Sequence, residues 1–345
     1  MENEILKSKT DSQTISSVLE RILKSGKNLL IVTHNNPDPD AIASAYALKY
    51  FTEKQYGLKA HITYRGSIGR AENRAMVQKL KITLKQFNRI RLKKYDRIVL
   101  VDGQPHAGNT PDIQYDVVID HHPRRRDTKA DLVVVQPDIG VTATILVEWL
   151  RESGIEIPAD LATALAYAIS SETQNLARET SSRDIDAYLH VYVQSSIRKL
   201  ARIIHPKLPR DYFSTLAKTL HNTYTFRNLI CAHLGDVSTA EMVSEMADFL
   251  LHHERIGWSF CTGRFKDQLI LSIRSANTNA NAGKVIKRLV QDPDSVGGHD
   301  MSAGGSVSLQ SKNTKESEDL EKALTSKFAK LMGYEDSEWR SILDS

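Results

Sequence analysis

At 345 residues, with 46 Lys and Arg against 42 Asp and Glu for a formal charge of +4, the chain is long for one core and too weakly basic for a dedicated duplex-DNA binder. Hydrophobic residues at 41% and charged residues at 26% exclude a disordered or membrane-embedded chain, and no run approaches the ~20 apolar residues of a membrane span. Two domains are expected, the charge suits a phosphate-bearing ligand, and the polar residues 1–14 lack a secretory signal, so the chain reads as cytoplasmic.

Residues 12–25 carry apolar positions Ile15, Val18, Leu19, Ile22 and Leu23 at helical spacing, and Gly26 ends the helix. Leu29-Leu30-Ile31-Val32 reads as a buried strand, followed by the polar turn Thr33-His34-Asn35-Asn36-Pro37-Asp38-Pro39-Asp40 and a helix over 41–56. Pro37 and Pro39 each disfavour helix at the residue before, which predicts a stiffened loop holding Asp38 and Asp40 ahead of Ala41. A strand at 59–64, a helix at 72–80, a basic segment, and strands at 97–101 and 116–119 follow; the latter two end on Asp102 and on Asp120-His121-His122. A strand at 132–135 and helices at 142–152 and 158–171 complete an alternation that implies a mainly parallel sheet with three polar clusters at one edge.

Residues 181–226 show helical periodicity and no strand signal, and read as a helical connector between domains over 1–180 and 227–345. The second domain alternates strands at 229–234, 256–265, 269–274 and 306–309 with helices at 239–252 and 281–291, a glycine-rich turn, and a final helix at 315–331. Its 256–274 hairpin makes the sheet mixed, so the class is α/β in both domains. Cys231 and Cys261 lie in apolar runs without ligand spacing, which predicts buried reduced thiols.

His34, Asp38, Asp40, Asp102, Asp120 and His121 converge from three strand ends, and so many carboxylates would repel one another without cations. Carboxylates mixed with imidazole suit Mn²⁺ or Mg²⁺, and two such ions would clamp a phosphoryl group between nucleophile and leaving oxygen. Gly297-Gly298-His299-Asp300-Met301-Ser302-Ala303-Gly304-Gly305 offers backbone N–H groups and a histidine that could cradle phosphate. Arg124-Arg125-Arg126 reads as a solvated basic run rather than an anion guide.

These motifs, in this order, resemble the DHH phosphoesterase superfamily with its DHH-associated C-terminal domain. The resemblance implies an active site in the interdomain cleft, with two Mn²⁺ or Mg²⁺ ions. His34 and Asp38 would hold one, Asp40 and His121 the other, and Asp102 would bridge them. Asp120 would orient a histidine, and His122 would face the scissile phosphate. Arg274, Ser275, Gly297, Gly298 and His299 match the family's substrate-binding positions. Where the family carries an aspartate before threonine, this chain has Glu172-Thr173, which is expected to reach the metal on its longer stem. The implied activity is hydrolysis of short oligoribonucleotides, linear dinucleotides or 3′-phosphoadenosine 5′-phosphate, as in nanoRNases and nucleotide phosphatases, without membrane or duplex DNA as partner. Cyclic-dinucleotide cleavage and a nucleotide-binding regulator remain the alternatives, and a homodimer is compatible with either.

Overall fold

Four consecutive aliphatic residues, Leu29 to Val32, commit the chain to a strand buried on both faces, and in the computed structural model they lie in β1 (Asn28–Thr33) near the middle of a six-stranded parallel sheet. The structure describes residues 12–24, 26–292, 295–298, 300–309, 314–335 and 338–343. Two compact units divide the chain, Met1–Pro206 and Lys207–Ser345.

The first unit runs α1 (Ser12–Lys24), β1, α2 (Pro39–Tyr56), β2 (Lys59–Tyr64), α3 (Ala71–Lys79), β3 (Leu84–Gln86), β4 (Arg97–Val101), β5 (Val117–Asp120), β6 (Leu132–Val135), α4 (Thr142–Glu152), α5 (Ala159–Glu172), α6 (Ser182–Tyr192) and α7 (Ile197–Ile204). The strand order is β3-β2-β1-β4-β5-β6. Because strand side chains alternate, Leu29, Ile31, Val99, Val101, Val117 and Ile119 face the core shared with α2, α4 and α5, while Leu30, Val32, Leu100 and Val118 face a smaller cluster closed by Ile90, Leu92 and Tyr95. The small residues Ala41, Ala43, Ser44, Ala45 and Ala47 are fully buried, which lets α2 pack on the sheet and on α4 and α5. Gly57, at φ 67°, ends α2 in the left-handed conformation that glycine adopts without a Cβ clash.

The basic segment after α3 holds β3 and two 3₁₀ turns, Phe87–Arg89 and Leu92–Lys94, which charge-rich sequence masks as a loop. In the stretch read as a connector, α6 packs on α4 and α5, and α7 on α3 and α5. The units divide after α7, and α8 (Arg210–His221) belongs to the second. The stretch also contains a strand, β7 (Thr223–Phe226), which at four residues is too short to give a strand signal.

The second unit continues with β8 (Leu229–Asp236), α9 (Glu241–Leu250), β9 (Trp258–Phe265), β10 (Gln268–Ser275), α10 (Ala282–Leu289), β11 (Val296–Gly298), β12 (Ser302–Ser308), α11 (Thr314–Leu331) and β13 (Arg340–Ser341). Its sheet is mixed, with β8 and β9 parallel and the other pairs antiparallel. The glycine-rich turn expected here is therefore largely strand: Gly297 and Gly298 pair with Gly304 and Ala303. A Cβ at Gly298 would meet Ala303 Cα at 2.4 Å, so close strand approach, rather than flexibility, requires this glycine. Cys231 and Cys261 are buried free thiols, and no described helix is long and apolar enough to cross a membrane.

A buried polar network lies under α11: His233 Nδ1 is 2.8 Å from Thr262 Oγ1, and Thr262 donates to Glu321 Oε1 at 2.7 Å. Burial, then the charge of Lys322, hold the His233 imidazole down to about 4. As pH falls below the ordinary histidine value of about 6.5, the unfolded chain takes up this proton first, so stability present above that pH is lost between there and about 4. Between pH 7.5 and pH 5.5 the wild type should therefore lose about 1 kcal/mol of stability to urea relative to His233→Gln. Burial pushes the Glu321 carboxyl up, which opposes this slope equally in the wild type and the variant. The same pH dependence in the wild type and in His233→Gln over that range would refute the assignment.

Candidate active site

Successive strands run outward in one direction from β1 and in the other from β4, and open α/β sheets bind ligands in the crevice at such a reversal. His34 follows β1, Asp102 follows β4, and Asp120 ends β5 just before His121 and His122. Asp102 takes φ 57°, a left-handed conformation that aspartate tolerates better than most residues, at the turn leaving β4.

Asp38 is the N-cap of α2, with Oδ1 accepting from Ala41 N at 3.0 Å. The helix begins at Pro39, so Asp40 sits in its first turn and not in the loop expected ahead of Ala41. Proline is compatible with the first helical position because its φ is already helical and an N–H there has no partner within the helix. Asp40 is buried, accepting from Ser44 Oγ (3.0 Å) and Ala143 N (2.8 Å) on Oδ1 and from Thr142 N (2.7 Å) on Oδ2. The amino end of α4 thereby grips the carboxylate from below.

Asp102 stands between two clusters. Its Oδ2 is 3.6 Å from His34 Nε2, which is also 3.6 Å from Asp38 Oδ2. Its Oδ1 is 3.8 Å from His121 Nε2 and 4.0 Å from His122 Nδ1, and accepts from Thr142 Oγ1 at 2.9 Å. His121 Nε2 lies 4.0 Å from Asp40 Oδ2. Separations of 3.6–4.0 Å are too long for hydrogen bonds and suit donors that share a cation, since bonds of about 2.1 Å leave neighbouring donors about 3–4 Å apart. The Nδ1 atoms of His34 and His121 turn to the carbonyls of Asn35 (2.9 Å) and Ile139 (3.4 Å), which leaves each Nε2 free to ligate. The donor set thus fits divalent cations: His34, Asp38 and Asp102 form one group, and Asp102, His121 and His122 another.

The electrostatics carry the same imprint. Burial works against the His34 imidazolium, but Asp102 and Asp38 outweigh it and hold its pKa well above the ordinary value. Burial likewise opposes ionisation of Asp102, and its histidine neighbours reverse this and push the carboxyl far down. Asp40 moves the other way, raised by burial and then by Asp102 and Asp38. His122, opposed by burial and favoured by Asp120 and Asp102, is raised to about 9. Asp120 Oδ1 lies 2.9 Å from His122 Nδ1; an ionised carboxylate only accepts, so that nitrogen carries the proton.

Glu172, the last residue of α5, joins neither tight group. Its side chain is solvent-exposed at the helix end, yet desolvation by surrounding protein and the charges of Asp38 and Asp102 push it up to about 7. Its field is thus that of the His34–Asp38 side. If it completes that side, Glu172→Ala should weaken Mn²⁺ binding by about tenfold or more, and the shorter Glu172→Asp should weaken it less. Unchanged affinity in Glu172→Ala, read by metal titration, would remove it from the ligand set.

Several partners were not found by sequence reasoning. Gln104 donates to Asp120 Oδ2 at 2.6 Å and accepts from Arg125 N and Thr128 Oγ1, so it fixes the Asp120–His122 pair and the loop carrying Arg124 to Arg126. Arg125 itself pairs with Asp127. The buried Asp184 accepts from Gly140 N, Thr144 Oγ1 and Ser181 N, anchoring the start of α4 beneath Asp40. After α5 the chain passes through three consecutive left-handed residues, Gln174, Asn175 and Leu176, before Arg178, whose Nε is buried without a partner among the described residues. Only the S-x-x-D spacing of Ser181 and Asp184, a capping box, was visible in the sequence.

In the second unit Arg274 and Ser275 end β10. Arg274 Nε donates to Asp248 Oδ1 at 2.5 Å and its Nη1 to Ser272 Oγ at 2.9 Å, so its guanidinium is oriented by α9. The Ser275 hydroxyl donates to Gly257 O at 3.3 Å. Gly297 and Gly298 form the end of β11, and His299 lies outside the described residues.

Residues 28–169 match the N-terminal domain of the DHH family, and residues 227–330 match the DHHA1 domain. An uncharacterized protein of Methanocaldococcus jannaschii is 37% identical over 287 residues, 81% of this chain and 58% of that one. A probable manganese-dependent inorganic pyrophosphatase of Streptococcus pyogenes is 26% identical over 194 residues, 55% of this chain and 60% of its own length. The chain therefore spans somewhat over half the length of these relatives. The crystal structure of an exopolyphosphatase-related protein from Bacteroides fragilis shares the fold, with a TM-score of 0.74 at 15% identity over 94% of this chain and 99% of that one. With both domain models matched in order, and the DHH triplet at Asp120-His121-His122 on the crevice, the chain is a member of the DHH family that carries a DHHA1 domain.

Proposed function

We propose that the protein is a metal-dependent phosphoesterase that hydrolyses small nucleotides, namely short oligoribonucleotides, linear dinucleotides or 3′-phosphoadenosine 5′-phosphate, with two divalent cations. The observation that carries this is the position of Asp102, whose two oxygens face separate histidine-containing groups 3.6–4.0 Å away. His34 and Asp38 would hold one ion, Asp40 and His121 the other, and Asp102 both, with Glu172 on the first side. Manganese is favoured by the mixed carboxylate and imidazole donors and by the name of the pyrophosphatase relative. The cations would supply Lewis-acid activation of water and of the phosphoryl oxygens.

The remaining work falls to side chains. Asp120 holds His122 by Nδ1–H, an orientation in which Nε2 would face a phosphoryl oxygen, and Gln104 keeps Asp120 in place. Thr142 Oγ1 donates to Asp102 Oδ1, and Asp40 has three of about four acceptor directions filled, so both carboxylates are fixed before substrate arrives. Arg274, Ser275, Gly297, Gly298 and His299 would bind the rest of the nucleotide, Arg274 being held ready by Asp248. The DHHA1 match supports a nucleotide over pyrophosphate, because such a domain adds a surface for the non-reacting part of a substrate.

The test is Mn²⁺-dependent turnover of a panel: linear dinucleotides, 3′-phosphoadenosine 5′-phosphate, cyclic dinucleotides and pyrophosphate. Turnover of either of the first two, abolished by EDTA and restored by Mn²⁺, is the expected result. Cyclic substrates alone would move the assignment to a cyclic-dinucleotide phosphodiesterase, and tight binding without turnover would replace the enzyme with a regulator.

A further inference from the structure

The basic segment between α3 and β4 plays no part in the centre described above. β3 is only three residues long and pairs with Ile62 to Tyr64, so the amino half of β2 is left as a sheet edge. The two 3₁₀ turns then cross the sheet face beside that edge. Together they enclose a cavity of about 380 Å³, within the range of ligand sites, whose walls include Lys59, Lys85, Arg89, Arg91 and Lys94 around the half-buried rings of His61 and Tyr95. A second cavity of about 300 Å³ shares Lys59, His61 and Lys85 with it.

Two features distinguish this cleft from an ordinary solvated basic face. First, none of the residues lining the larger cavity is acidic, and the one carboxylate on the wall of the smaller, Glu53, is held by Lys49. Five cations are thus concentrated on one concavity in a chain whose whole formal charge is +4. Low-dielectric walls around charges of one sign focus their field and raise the local concentration of counter-ions. Second, His61, which lines both cavities, keeps a buried Nδ1 without a hydrogen-bond partner among the described residues, an unmet polar group in the wall of the cleft. Burial and the neighbouring Lys85, Lys49 and Lys59 lower the His61 pKa, as expected where cations lack counter-charge.

We propose that this cleft is a second anion site, recognising the phosphate chain common to inorganic polyphosphate and nucleoside polyphosphates. The aromatic residues argue for phosphate rather than base: His61 and Tyr95 pack edge-to-face at 5.7 Å and 78°, so their rings are used on each other and do not form the open stacking platform of single-strand binders. The site is separate from the catalytic crevice. It includes Asn28 and Lys59, which open β1 and β2, whereas His34 follows the far end of β1, about 20 Å along six residues of strand.

The test is calorimetric titration of tripolyphosphate into the full chain in EDTA at low salt, compared with a Lys59→Ser/Lys85→Ser/Arg91→Ser variant. Saturable binding that weakens tenfold or more in the variant is expected, with Mn²⁺-dependent nucleotide turnover within twofold of wild type. Adenosine triphosphate matching tripolyphosphate would identify the chain itself as the recognised group; tighter binding of the nucleotide would point to a nucleoside polyphosphate as the source. Independently of any variant, tripolyphosphate should protect Lys59, Lys85 and Lys94 of the wild type from acetylation, read by mass spectrometry. Unchanged affinity in the variant, absence of protection, or binding of a short RNA where tripolyphosphate does not bind would each overturn the proposal.

Discussion

Asp102→Ala should abolish nucleotide hydrolysis, with kcat reduced by about 10³ or more, and should leave the purified protein with less than half the wild-type manganese. The reason is local. Among the described residues Asp102 is the one carboxylate that faces both histidine groups, Oδ2 toward His34 and Oδ1 toward His121 and His122, and its side chain is only 2% exposed. Removing it takes from the imidazoles of His34 and His122 one of the charges that raise their pKa, and would leave two cations without a shared ligand to offset their repulsion. The Thr142 hydroxyl also loses its acceptor, at a stability cost of about 1–3 kcal/mol. Asp102→Asn separates the two effects: the amide oxygen can still accept from Thr142, so stability should recover while activity does not. Activity or metal content like the wild type in Asp102→Ala would eliminate the proposed centre.

The candidate ligands were legible because they sit where short apolar strands stop. Leu29 to Val32 stop at His34, Arg97 to Val101 at Asp102, and Val117 to Ile119 at Asp120 and His121, and a parallel sheet carries all three ends to one edge. Such continuous apolar runs lack strand alternation, but they are short and break sharply into polar residues, so their ends can be read to within a residue or two. What holds the ligands was not legible. Gln104, Thr142, Asp184 and Asp248 act through long-range hydrogen bonds, including ones across 16, 40, 44 and 26 residues respectively, and no local pattern encodes such a bond. β7 and β11, of four and three residues, were missed for a different reason: strands this short owe their existence to the neighbours they pair with, not to propensity. The start of α2 was misplaced because proline signals both the end of a preceding extended segment and the first residue of a helix, and Asp38 as N-cap decides for the second.

Asp40→Asn should be the variant in which fold and chemistry fail together. Three donors converge on this carboxylate, Thr142 N on Oδ2 and Ala143 N and Ser44 Oγ on Oδ1, all within 3.0 Å. An asparagine amide has one oxygen, so whichever way it turns, its NH₂ group faces a backbone N–H of α4, and two donors meet in a buried site. The Ser44 hydroxyl can rotate to accept; a backbone N–H cannot. Leaving one buried N–H unsatisfied costs about 1–3 kcal/mol, and for a domain of this size that would lower the melting temperature by several degrees. The substitution also removes the negative charge that faces His121 Nε2 at 4.0 Å, so manganese affinity and turnover should both fall by at least about tenfold. Neutralisation alone is not the cause of the stability loss, because burial and Asp102 already push the Asp40 carboxyl toward its protonated form in the metal-free chain. The geometry of the acceptors is the cause, and Asp40→Glu tests it: the charge and both oxygens are kept, but the added methylene pushes them past Thr142 and Ala143. Asp40→Glu should therefore also unfold at lower temperature than wild type. A melting curve for Asp40→Asn that superimposes on the wild type would show that the amino end of α4 does not depend on this carboxylate.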